Sequence, residues 1–103
     1  MLTSTEKVSI EGEITDEITN KAISGATVRL TELFVTNPTE GLSVSDSNGK
    51  YSFSGLEPGY YLVRVVATGY QTAYAIVSAT ADTTENFELK PISGESPTPI
   101  PAD

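Results

Sequence analysis

The chain has 103 residues, enough for one domain with a core of its own and too few for two. Fourteen Asp and Glu against six Lys and Arg give a net charge of -8 and a pI near 4.3, which argues against any grip on a phosphate backbone. Cysteine and histidine are both absent, which removes disulfides, thiolate chemistry, the commonest general base and the commonest transition-metal ligand.

The opening "MLTSTEK" has no apolar core of an export signal, and no apolar run approaches the ~20 residues of a membrane-spanning helix, so no membrane insertion is expected. From residue 7 onward, short strand-like runs alternate with turn signals and no helical period develops, which predicts an all-β domain. In "VSIEGEIT", Val8, Ile10 and Ile14 share one parity and Ser9, Glu11, Glu13 and Thr15 the other, with Gly12 interrupting the inner row. "DEITNKAISG" is a polar connection whose Ile18 and Ile23 are expected to tuck under the sheets. "ATVRLTELF" resumes alternation through Ala26, Val28 and Leu30 and must end by about Thr36, before Asn37-Pro38.

"LSVSDSNGKYSFSG" reads as a hairpin, with Leu42 and Val44 leading into the Asn48-Gly49 turn and Tyr51 and Phe53 leading out. In "GLEPGYYLVRVVATGY", Pro58-Gly59 is expected to turn the chain, with Gly taking a conformation closed to other residues. Tyr61, Val63, Val65 and Ala67 then point inward, Gly69 permits a bend, and Tyr70 covers the end of the core. The two brackets fix register, because a one-residue slip would turn every inward side chain to solvent. "QTAYAIVSA", a turn at Ala81-Asp82 and a last strand "TENFELK", with Phe87 and Leu89 inward, bring the count to seven. The expected organisation is an N-terminal flank over 1–6, a domain over 7–90, and a Pro-rich linker over 91–103, whose X-Pro pairs favour extended chain.

"GEITDEITNKAISGATVRL" followed by "SVSDSNGKYSFSGLEPGYYLVRVVATGY" resembles the carboxypeptidase regulatory-like domain, a transthyretin-like (prealbumin-like) fold. The Gly-Ala-Thr-Val, Asp-x-x-Gly-x-Tyr-x-Phe, Leu-x-Pro-Gly-x-Tyr and Gly-Tyr elements stand in family order over about residues 8 to 89. The resemblance implies an antiparallel, Greek-key β-sandwich of seven strands. It also implies a noncatalytic module of a larger secreted or cell-surface protein, a structural spacer or interaction module beside neighbouring domains of the same chain, the alternative being an accessory module that binds a carbohydrate or protein beside an attached hydrolase. The more distantly similar collagen-adhesin B-type domains form an isopeptide crosslink from a Lys, an Asn or Asp and a buried Glu. Lys7 and Asn86 are the nearest counterparts here, but Val65 stands where the family places the Glu, so no crosslink is expected. The similar 5-hydroxyisourate hydrolases need histidines and a Tyr-Arg-Gly-Ser end that this chain lacks, and no thyroxine-carrier signature is present.

No cofactor is expected. The nearest approach to a metal site is a set of oxygens for calcium on Asp46 and Asn48, with Asp16 and Glu17 nearby; the same residues are what a turn selects through side chain to backbone hydrogen bonds. The other candidate is a partner-binding face. On the outward parity Tyr60, Leu62 and Val66 flank Arg64, with Leu33 and Val35 facing the same way, and Tyr60 and Tyr74 offer rings for a sugar. The partner expected there is a neighbouring domain, a protein or a glycan, and the isolated domain is expected to be a monomer.

Overall fold

The computed structural model describes residues 6–92. Eight strands fill it: β1 Val8–Asp16, β2 Thr27–Glu32, β3 Glu40–Val44, β4 Lys50–Leu56, β5 Gly59–Val66, β6 Ala73–Ala79, β7 Thr83–Thr84 and β8 Phe87–Leu89. They form two four-stranded sheets. One has β1 at its centre, with β4 on one side and β7 and β8 in succession on the other; the second runs β3-β2-β5-β6. All described residues lie in strands, turns and loops, as the two-fold periodicity predicts.

The core lies between the inner faces. Val8, Ile10 and Ile14 of β1, Tyr51 and Phe53 of β4, and Phe87 and Leu89 of β8 meet Val28 and Leu30 of β2, Tyr61, Val63 and Val65 of β5, and Val77 and Ala79 of β6. Each is buried, and their parity is the one the sequence displays.

Four local expectations change. The seventh strand is two, because the chain breaks step at Glu85 and Asn86: Thr83 and Thr84 align with Ile10 and Glu11, and Phe87 to Leu89 with Ile14 to Asp16. Both short strands run parallel to β1, so this sheet is mixed rather than antiparallel throughout. Next, β3 and β4 are joined by the expected Asn48-Gly49 turn, with Gly49 at φ 76°, but they enter different sheets, β3 on β2 and β4 on β1. The buried Ser45 commits β3 to β2: its hydroxyl donates to the Ile23 carbonyl (2.7 Å) and accepts from Ala26 N–H (2.9 Å). Third, the positive φ falls on Gly55 (69°) instead of Gly59, and it marks a bulge where β4 gains one residue on β1 between Val8 and Ile10. Fourth, Ile23 is buried but Ile18 is 52% exposed at the tip of a turn, because Asp16 Oδ1 accepts from both Ile18 and Thr19 N–H.

The proline-rich segment over 93–103 and the flank over 1–5 lie outside the described residues. Pro91, the first residue of the expected linker, is fully buried and bridges to Tyr70.

Candidate outer-face interaction site

Register sets the outer face of the β3-β2-β5-β6 sheet. Leu62 stands across from Thr31 of β2 and Ile76 of β6; Arg64 stands across from Arg29 and Tyr74; Val66 stands across from Thr27. On the far side, Arg29 and Thr27 face Leu42 and Val44 of β3. Outward side chains therefore line up in rows that cross the strands. Glu40, Thr31, Leu62 and Ile76 make one row; Leu42, Arg29, Arg64 and Tyr74 the next; Val44, Thr27 and Val66 a third.

The four residues singled out from the sequence, Tyr60, Leu62, Val66 and Tyr74, all lie on this one face, Leu62 half-buried and the others exposed. The face also carries apolar residues that sequence reasoning passed over: Ile76 is 66% exposed, Leu42 61% and Val44 58%. Ile76 shares Tyr74's parity in "AYAIVSA", a signal that was available. Leu42 and Val44 point outward because the inward positions of β3 are Gly41 and Ser43, and a Cβ at Gly41 would lie 3.1 Å from the Phe53 ring. Exposed apolar residues gathered on one face are a feature that interaction sites use, although Thr31, Thr27, Arg29 and Arg64 stand among these.

At one end of the face, Phe34 is 84% exposed and holds a left-handed backbone, φ 63°, which a bulky residue rarely adopts. Its ring meets Tyr60 edge to face with centroids 5.7 Å apart. β2 ends at Glu32, just before this residue, and Leu33 N–H donates to the Tyr60 carbonyl at 2.9 Å. Tyr60 and Tyr74 do not share a platform: they sit on adjacent strands with four residues of register between them, ~13 Å along the sheet.

Behind the face, tyrosine hydroxyls pin the ends of β5. Tyr61 donates to the Glu57 carbonyl at 2.5 Å across the Pro58-Gly59 turn, and burial raises its pKa. Tyr70 donates to Oδ2 of the buried Asp16 at 2.6 Å; burial, then the Asp16 hydrogen bond and charge, push its pKa up to about 12. Gly69, at φ 85°, makes the bend that brings Tyr70 there. Asp16, a candidate oxygen ligand in the sequence, thus anchors a turn and a tyrosine.

Asp46 and Asn48 form the turn between β3 and β4. Asp46 Oδ1 accepts from Asn48 N–H (2.8 Å) and Lys50 N–H (2.9 Å), and these hydrogen bonds, that of Lys50 first, lower its pKa. No group of three acidic side chains placed to hold a metal occurs among the described residues. Lys7 and Asn86 are kept apart. Lys7 Nζ pairs with Glu57, whereas Asn86 Oδ1 accepts from Glu13 N–H at 2.9 Å, six residues further along β1 and so ~20 Å away. An open polar depression of about 710 Å³ is lined by residues of β1, β3 and β4, among them Glu11, Glu13, Ser43 and Lys50, together with Asp46 and Asn86. Among the described residues, no helix is long and apolar enough to cross a membrane.

A family model for the carboxypeptidase regulatory-like domain matches residues 9–90. No curated protein matches the chain. Among solved structures, a DUF3823 family protein from Parabacteroides merdae superposes with a TM-score of 0.68 at 14% identity, covering 85% of this chain and 48% of that one. BcpA, the major pilin subunit of Bacillus cereus, gives 0.59 at 20% identity, covering 81% and 29%. Chlorocatechol 1,2-dioxygenase from Pseudomonas putida gives 0.63 at 11%, covering 82% and 60%. These likenesses show the sandwich alone, and the present chain spans less than two thirds of each of the three.

Proposed function

The chain belongs to the carboxypeptidase regulatory-like domain family, and from that premise we propose that it is a noncatalytic module of a larger extracellular protein, meeting a neighbouring domain or a partner through the outer face of the β3-β2-β5-β6 sheet. The observation that carries this reading is the run of exposed Leu42, Val44, Val66, Tyr74 and Ile76 on one sheet face, while the outward positions of β1 and β4 include Glu11, Glu13, Lys50 and Ser52. A solvated face would be charged and mixed in sign, as the second of these is.

The pinned register serves this role. A sandwich whose strand ends are tied by Tyr61, Tyr70 and Tyr51 presents a face of fixed shape, with little to order on binding. The segment over 91–103 is proposed to serve as a linker to a neighbouring domain, with Pro91 bridging to Tyr70 at its start. Membership of the B. cereus pilin and the P. merdae protein in the same fold class supports use as a building block within longer chains.

Reading the gene on both sides of this stretch tests the modular claim, and a frame with no further domain and no export signal would overturn it. A two-dimensional NMR titration against a glycan panel tests the alternative, an accessory module that holds sugar beside a hydrolase. Shifts confined to Tyr60, Phe34 and Tyr74 on adding a sugar would favour that alternative over a protein contact.

A further inference from the structure

The outer face has two arginines at its centre. Arg29 of β2 and Arg64 of β5 stand directly opposite each other, both outward and exposed, in a chain that holds only six cationic residues and a net charge of -8. Like charges directly across an antiparallel pair destabilise the sheet. Among the described residues the ion pair is Lys7 with Glu57, and neither arginine forms one. Glu40, on the diagonal from Arg29, makes no ion pair with it.

The surroundings of this pair define what would. Its row ends in Leu42 and Tyr74; the row on one side runs Glu40, Thr31, Leu62 and Ile76, and the row on the other Val44, Thr27 and Val66. Two guanidinium groups on Cβ atoms ~5 Å apart can each offer a fork of N–H donors to one carboxylate or to two neighbouring ones. The apolar side chains among these neighbours shed water once a partner covers the face, which strengthens such a contact. Aliphatic rows on a flat sheet suit side chains of another polypeptide better than the hydroxyl-covered face of a sugar, and Arg and Tyr among apolar residues is the composition of a protein contact centre.

Building on the proposed role of this face, we propose that Arg29 and Arg64 recognise a carboxylate-bearing segment of a partner protein, whose apolar side chains flank the carboxylate and rest on Leu62 and Ile76 to one side and Val44 and Val66 to the other. The net charge of -8 repels an acidic segment from the rest of the chain, so it is the arginine pair that orients the segment on this face.

The test is a random 12-residue peptide display library selected on the folded 103-residue chain, with polygalacturonate titrated in parallel. Recovered peptides are expected to be rich in Asp or Glu beside apolar residues. They should bind at least tenfold more weakly to the Arg29→Gln/Arg64→Gln double variant, whose melting temperature should not fall. Peptides without acidic residues, retained by that variant but lost on Ile76→Ser/Tyr74→Ser, would overturn the arginine assignment and leave the face as a binding surface. Peptides retained by both variants, or no binders at all with polygalacturonate also silent, would overturn the face itself. Binding of polygalacturonate alone, lost in the arginine variant, would overturn the protein partner in favour of an acidic glycan.

Discussion

The carbonyl oxygen of Glu85 lies 1.8 Å from the point where a Cβ on Gly12 would sit. Gly12 is in the inward row of β1, the position where the alternation lapses, and the chain between β7 and β8 closes over the gap it leaves. Glu85 N–H donates to Glu11 O at 2.7 Å, and the Tyr51 hydroxyl donates to the Glu85 carbonyl at 2.5 Å. One missing side chain thus admits the backbone kink that divides the last strand in two.

Replacing Gly12 by Ala should therefore do more harm than an ordinary added methyl. The nearest atom is backbone, not the end of a flexible side chain, so β7 and β8 must move off β1. A loss of about 3 kcal/mol or more is expected in a denaturant melt, at the upper end for overpacking. Tyr51→Phe removes only the hydroxyl tie and should cost about 1 kcal/mol. A Gly12→Ala melt that matches the parent would show that the Glu85 crossing is not where it is described.

These ties explain which parts of the fold were legible. Alternation in "VSIEGEIT" and "YYLVRVV" reports which side chains point inward along a single strand, and Ile10, Ile14, Val63 and Val65 all do. It carries nothing about partner or direction. Whether β3 returns onto β4 or joins β2 is decided by Ser45, a small polar residue whose two buried hydrogen bonds leave no periodic trace. The outer face was half legible for a related reason: Tyr60, Leu62 and Val66 stand out against polar expectation, but Leu42 and Val44 look like core until Phe53 is seen filling the space inside Gly41.

Alkaline unfolding should report the Tyr70 to Asp16 contact. A tyrosine whose folded pKa is raised from 10.0 to about 12 holds its proton more tightly in the native state. Its contribution is complete below the unfolded value and is lost as pH climbs through the folded one, so stability should fall between about pH 10 and 12. Burial raises Tyr51 and Tyr61 in the same direction, which steepens the fall. Tyr70→Phe should cost about 1.5–3 kcal/mol at neutral pH, the range for a hydrogen bond to a charged group, and should make the decline above pH 10 shallower. An unchanged slope in the variant would show that Tyr70 does not drive the decline.

Charge reversal at the centre of the outer face should separate stability from recognition. Arg29→Glu converts a like-charge cross-strand pair with Arg64 into an opposite one, worth roughly 0.2–1 kcal/mol in favour of the fold. The thermal midpoint is expected to rise at low salt, and the gain should shrink as salt screens the pair. A destabilised variant would mean that the two guanidinium groups are not the neighbours their register makes them.

Phe34 offers the same separation through the backbone. A non-glycine residue at φ 63° carries a cost of order 1–3 kcal/mol, and the ring is so exposed that little burial offsets it beyond the edge-on contact with Tyr60. Glycine at this position relieves the conformational cost but loses more entropy on folding, by about 0.5–1 kcal/mol. Together these opposing effects predict that Phe34→Gly melts at the parent's denaturant midpoint or slightly above it. Phe34→Ala keeps the backbone cost, loses the ring and should be the less stable of the two. If the order of Gly and Ala were reversed, the left-handed backbone would not be what governs stability at this position. If Gly does prove the more stable, while a partner that meets the Tyr60 end of the face binds the Gly form less well, the strain at Phe34 is retained for the surface it presents and not for the fold.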